Sequence, residues 1–153
     1  MSKGLGGTGG RGKEIATPEL RRAWQVMLRA ALAGAGTALL WLALSLWMAA
    51  DPKLRLAMVL FQAGYLLLRS LIAYGVYFRV RWAAWLGGVV SGMTVISGAL
   101  SVLTGNLNPA WQGNQELFVN PAYGVALSWA DLLIDGAFLT GIWLVRRARR
   151  AGA

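Results

Sequence analysis

The sequence predicts an all-α integral membrane protein, a left-handed antiparallel bundle of four transmembrane helices with both termini in the cytoplasm. Three observations point there. Of 153 residues, 57% are hydrophobic and 14% charged, whereas soluble domains carry about 25% charged residues. Four apolar stretches fill most of residues 24 to 145, and each is long enough to cross a hydrocarbon core of ~30 Å, which takes about 20 helical residues. Finally, Lys and Arg gather at the ends that an even number of crossings places on one side.

Residues 1–16, MSKGLGGTGGRGKEIA, are rich in Gly and basic residues and hold too little apolar material to offset the entropy of ordering them, so a disordered basic tail is expected. The run GLGGTGG has neither the preceding strand nor the following Lys-Ser/Thr of a phosphate-cradling loop. Thr17, Pro18 and Glu19 then supply an N-cap, a proline at the first helical position and an acid in the first turn, so a helix begins ahead of the membrane. The membrane domain is expected over residues 17–146.

The first span runs over about 24–49 and stops at Asp51-Pro52, where proline and the restricted residue before it break the helix. Its apolar part exceeds a 7 to 15-residue signal-peptide core and lacks a small-x-small cleavage site, so it is read as retained. The second span covers about 54–78, the third about 82–103 and the fourth about 122–145. Phe78-Arg79-Val80-Arg81 is so short a connection that the second and third helices must be antiparallel neighbours. Residues 105–120 form the one substantial outer loop, in which Asn108 and Pro109 are placed to start a surface helix with Trp111, Leu117 and Phe118 at the interface. Residues 147–153 are read as a short basic tail.

Orientation follows from charge. Lys3, Arg11, Lys13, Arg21, Arg22, Arg29, Arg79, Arg81, Arg146, Arg147, Arg149 and Arg150 make twelve of the fifteen cations and fall on one side of a four-span chain, against Lys53 and Arg55 on the other. That side is the cytoplasm by the positive-inside rule. Trp24, Tyr77, Trp82, Trp85 and Trp143 fit an inner aromatic belt; Trp47, Trp111 and Tyr123 fit an outer one. Topology thus accounts for the net charge of +9 without nucleic acid, for which no aromatic and basic platform remains outside the spans. The basic face is also suited to anionic lipid head groups. An Ala-, Leu-, Gly- and Arg-rich composition with little Lys suggests a bacterial plasma membrane.

What is missing narrows the chemistry. The chain has no cysteine and no histidine, which removes disulfides, thiolate nucleophiles and the imidazole ligands that haem, zinc and Ser-His-Asp sites rely on. Six carboxylates in all are few for a hard-cation cage. No cofactor, metal or catalytic residue is therefore expected.

The informative residues are ionisable groups at bilayer depth: Arg69, Asp131 and Asp135. Facing lipid, each costs about 2.5 to 3.5 kcal/mol on insertion scales, so each should turn inward and find a partner. Arg69 lies nine residues from Phe78 and Asp135 ten from Val145, about 13.5 and 15 Å from the inner end at 1.5 Å per residue. They are level. Asp131, at about 21 Å, is one turn farther out, near Tyr65 at about 19.5 Å. At 100° per residue Gln62, Tyr65 and Arg69 share one stripe, and Ser128, Asp131 and Asp135 share another. In the third span Gly87, Ser91, Thr94, Gly98 and Ser101 form a narrow stripe of small and hydroxyl residues that lets helices approach. Ala30, Gly34, Ala38, Trp41 and Ser45 do so in the first.

One arginine against two aspartates leaves a carboxylate without a cation. Asp131 is the one nominated, neutral and hydrogen-bonded to Tyr65 or Ser128. The expectation is a non-catalytic accessory subunit or assembly factor, held by an Arg69–Asp135 clasp, with a membrane-protein partner or a second copy as company. A small proton-coupled transporter using Asp131 and Asp135 beside Arg69 is the alternative, with Gln62, Tyr65, Ser91, Thr94 and Ser128 lining its path. An enzyme on lipid substrates would need reactive groups at an interface, where only Asn114, Gln115 and Glu116 are available.

Overall fold

The computed structural model describes residues 17–48, 52–104 and 121–151. They form four helices: α1 (Pro18–Met48), α2 (Pro52–Tyr77), α3 (Arg81–Leu103) and α4 (Pro121–Ala151). All four are long and apolar enough to cross a membrane, so the chain is a small polytopic membrane protein. Calls on residues 1–16 and 105–120, and on Lys53's side chain, lie outside the described residues.

Prolines 18, 52 and 121 open three of the helices; at the first position the missing N–H costs nothing and φ is already helical. Thr17 caps α1, its Oγ1 accepting from the Leu20 N–H at 3.3 Å, which satisfies one of the free donors of the first turn. The helix therefore starts about two turns before the expected membrane entry at Trp24. At its far end α4 runs on through Arg146, Arg147, Arg149 and Arg150 to Ala151, where a tail was expected from 147. Arg and Ala are strong helix formers and no breaker intervenes before Gly152.

The turn from α2 to α3 is a six-residue helix stop. Val80 N–H reaches the Gly75 carbonyl and Arg79 N–H the Val76 carbonyl, both at 2.9 Å. This pairing requires a left-handed residue just past the helix, and Arg79 takes it with φ 56°. The reversal sets α2 and α3 side by side.

Each helix packs on its chain neighbours, and α4 closes the ring on α1. Glycines set the closest approaches. A Cβ on Gly141 of α4 would run into Met27 of α1, its backbone N at 3.1 Å included, and one on Gly87 of α3 would enter the Phe138 ring of α4. From Met27 beside Gly141 to Trp41 beside Asp131, α1 and α4 run in opposite directions.

The apolar core fills the half of the bundle where α1 begins and α4 ends, around Trp24, Met27, Ile72, Val76, Phe138 and Val145. Beyond it many of the buried side chains are small or polar, Ala38, Ser45, Ser91 and Ser128 among them, with Trp41 a large exception. Among the described residues nine arginines belong to the core end and one, Arg55, to the opposite end. Large apolar side chains such as Leu60, Phe61, Leu67, Met93 and Leu133 point outward, as they would toward lipid tails.

Candidate functional site

At the border between the apolar half and the polar half, side chains from all four helices converge. α2 supplies Arg69, and α4 supplies Asp135 one turn from Asp131, on the same face. Arg69 is 3% exposed and Asp135 fully buried. The Arg69 guanidinium engages the carboxylate with two prongs, Nη1 to Oδ1 and Nη2 to Oδ2, each at 2.6 Å. Ser91 of α3 donates a third hydrogen bond to Oδ1 at 2.8 Å.

Arg69 is held from its own helix too. Its Nε donates to the Tyr65 hydroxyl at 2.8 Å, and Nη2 donates to the same oxygen. The guanidinium carbon stands 5.0 Å from the Tyr65 ring centre, close enough for a cation–π attraction. Four of the five guanidinium N–H groups thereby have acceptors. Room for this head comes from Gly34 of α1, where a Cβ would stand 3.3 Å from Nη1.

Asp131 is bound differently. The Thr37 hydroxyl donates to Oδ1 at 2.5 Å and the Trp41 indole N–H to Oδ2 at 2.7 Å. Both donors come from α1, where the single Thr37 proton is shared between Asp131 and the Gly34 carbonyl, the latter at 3.1 Å, and the Ser45 hydroxyl donates to the Trp41 carbonyl. The expected partners of Asp131 are therefore corrected. Tyr65 is taken by Arg69, and Ser128 returns its hydroxyl to the Gly124 carbonyl at 2.8 Å, the local bond a helical serine makes most easily.

Of the eight residues singled out from sequence, the structure brings Arg69, Asp135, Tyr65 and Ser91 into one network, with Asp131 on the adjoining turn. Thr94 bonds to the Val90 carbonyl of its own helix. Gln62 is half-buried and has no hydrogen bond among the described residues. Thr37 was missed, and Trp41 was read only as part of a packing stripe. A depth count finds Thr37 and brings Trp41 within a turn: Thr37 lies thirteen residues past Trp24 and Trp41 seventeen, about 19.5 and 25.5 Å along the axis, on either side of the depth of Asp131.

Chemically the site pairs one fixed cation with one carboxylate and holds a second carboxylate on neutral donors. Among the described residues there is no group of acids that would hold a metal ion. Comparison with protein-family models, curated proteins and solved structures gives no significant match, so the reading rests on the chemistry of the site.

Proposed function

We propose that the protein is a non-catalytic membrane subunit or assembly factor, in which the Arg69–Asp135 clasp fixes the register of four helices. The observation that carries this reading is closure. Asp135 is fully buried and takes donors from α2 and α3, while α1 occupies both oxygens of Asp131. A rigid bundle presents a constant outer surface, which is what a partner in the membrane needs. Gln62 supports this, because an amide without an internal partner at bilayer depth is suited to bond a neighbouring helix. The end rich in arginine faces the cytoplasm of a bacterial plasma membrane in this reading, and the narrow stripes of small residues fit left-handed packing.

One observation favours a second reading, proton-coupled transport. Asp131 has two neutral donors and no ion pair among the described residues, so it is the intramembrane carboxylate whose charge no salt bridge balances. Infrared difference spectroscopy against pH, on wild type, Asp131→Asn and Asp135→Asn in lipid, separates the two. A fixed clasp gives no carboxyl band that titrates near neutral pH. A band that does so and disappears in Asp131→Asn overturns the subunit reading in favour of transport.

A further inference from the structure

Away from the clasp, a groove of about 590 Å³ lies at the arginine-rich end, between α3 and α4, with its floor on Trp24 and Met27 of α1. Its two ends differ in chemistry. Arg81 from the start of α3 and Arg146 and Arg149 from the last turns of α4 stand at the mouth. Among the described residues none of the three is in ion-pair distance of a carboxylate. Below them the walls are apolar: Trp85 and Val89 on α3, Ile142 and Trp143 on α4. Trp85 is 70% exposed, so the groove is open toward the surrounding bilayer.

The track continues along both helices. Gly92 lies two turns beyond Trp85 on the same face of α3, and Gly136 two turns beyond Trp143 on α4, since residues seven apart nearly coincide in direction. A Cβ at either glycine would meet nothing within 4 Å. Gly92 is eleven residues from Arg81 and Gly136 ten from Arg146, about 16.5 and 15 Å along the axis. That is about half of a ~30 Å hydrocarbon core, or one leaflet.

We propose that this groove is a binding site for an anionic phospholipid of the adjoining leaflet, its phosphate held by Arg81, Arg146 and Arg149 and one acyl chain laid along Trp85 and Ile142 toward Gly92. Planar guanidinium groups match phosphate oxygens with paired hydrogen bonds. Head and tail belong to one molecule, because three cations without an ion pair among the described residues border an apolar groove that open space at Gly92 and Gly136 extends along the helices. The site is independent of the clasp and of the reading built on it.

The test is native mass spectrometry on the full chain in mild detergent, titrated separately with dioleoyl phosphatidylglycerol and dioleoyl phosphatidylcholine. The proposal expects tighter binding of phosphatidylglycerol, and a loss of about tenfold or more in the triple variant R81Q/R146Q/R149Q, given the attraction of each basic residue for anionic head groups. The equally charged variant R21Q/R22Q/R29Q, altered outside the groove, should keep most of the affinity. Gly92→Leu, which leaves every charge in place, should weaken both lipids several-fold by filling the track. Equal binding of the two lipids by wild type, or an equal loss in the two triple variants, overturns the site. So does displacement of phosphatidylglycerol by millimolar inorganic phosphate together with an inert Gly92→Leu, which would leave a simple phosphate contact. The infrared experiment above is blind to all of these outcomes, so either proposal can fail alone.

Discussion

Arg69 and Asp135 meet fork to fork, both terminal nitrogens of the one at 2.6 Å from the two oxygens of the other, at a place where Asp135 has no exposure at all. In hydrocarbon this relationship is worth most to specificity. Many arrangements of four apolar helices bury similar area, but few bring this pair into register.

Removing one partner strands the other. Arg69→Ala and Asp135→Asn should each destabilise the bundle by about 3 to 5 kcal/mol, the cost of an uncompensated buried charge. Arg69→Lys should recover little, since a point charge cannot serve both oxygens. The apolar double variant Arg69→Met with Asp135→Leu should be more stable than either single variant. Thermal melts followed by size-exclusion profiles in detergent check this; additive losses in the double variant would show the two residues do not interact.

Asp131 depends on α1. Thr37→Val and Trp41→Phe each delete one donor to a buried carboxylate, at about 1 to 3 kcal/mol. The pair should lose more than the sum, because the last donor is then gone. Asp131→Asn should be the mildest change, its amide oxygen still accepting one bond. The measurement is the same melt, run as a double-mutant cycle.

The glycines separate by what surrounds them. Gly141→Ala pushes a methyl group against the Met27 backbone, and Gly87→Ala pushes one into the Phe138 ring, so each should cost about 1 to 3 kcal/mol as overpacking does. Gly64 has open space around it, and Gly64→Ala should be neutral or stabilising by up to about 1 kcal/mol from helix propensity. Matching melts for all three would contradict the packing described.

Arg79 holds φ 56°, a conformation that costs a side chain on the order of 1 kcal/mol. Arg79→Gly should raise the melting point, whereas Arg79→Val should lower it further than loss of charge explains, as judged against Arg79→Gln.

The absence of cysteine makes single-cysteine topology mapping clean. Cysteines at positions 2 and 152 should react only from the cytoplasmic side and one replacing Gln112 only from outside. Labelling of both ends from outside would reverse the orientation.

Much of this was legible in the chain. Length and hydropathy determine four spanning helices, because hydrocarbon leaves backbone polar groups no alternative to helical hydrogen bonds. Depth counting along single helices puts Arg69 level with Asp135, and the 3.6-residue repeat puts Ser91 on the inward stripe of α3. These are one-dimensional properties. The sequence did not decide how far each helix is turned about its axis relative to its neighbours. That rotation, set when Gly141 lets α1 close on α4 and Gly34 makes room for the Arg69 head, presents Thr37 and Trp41 of α1 to Asp131 of α4, whereas the Tyr65–Arg69 contact, four residues apart on α2, is local to one helix. The same rotation carries Arg81, twelve residues after Arg69, to one groove with Arg146 and Arg149. Periodicity names the residues that face inward; only the packing of four helices against one another says which of them touch.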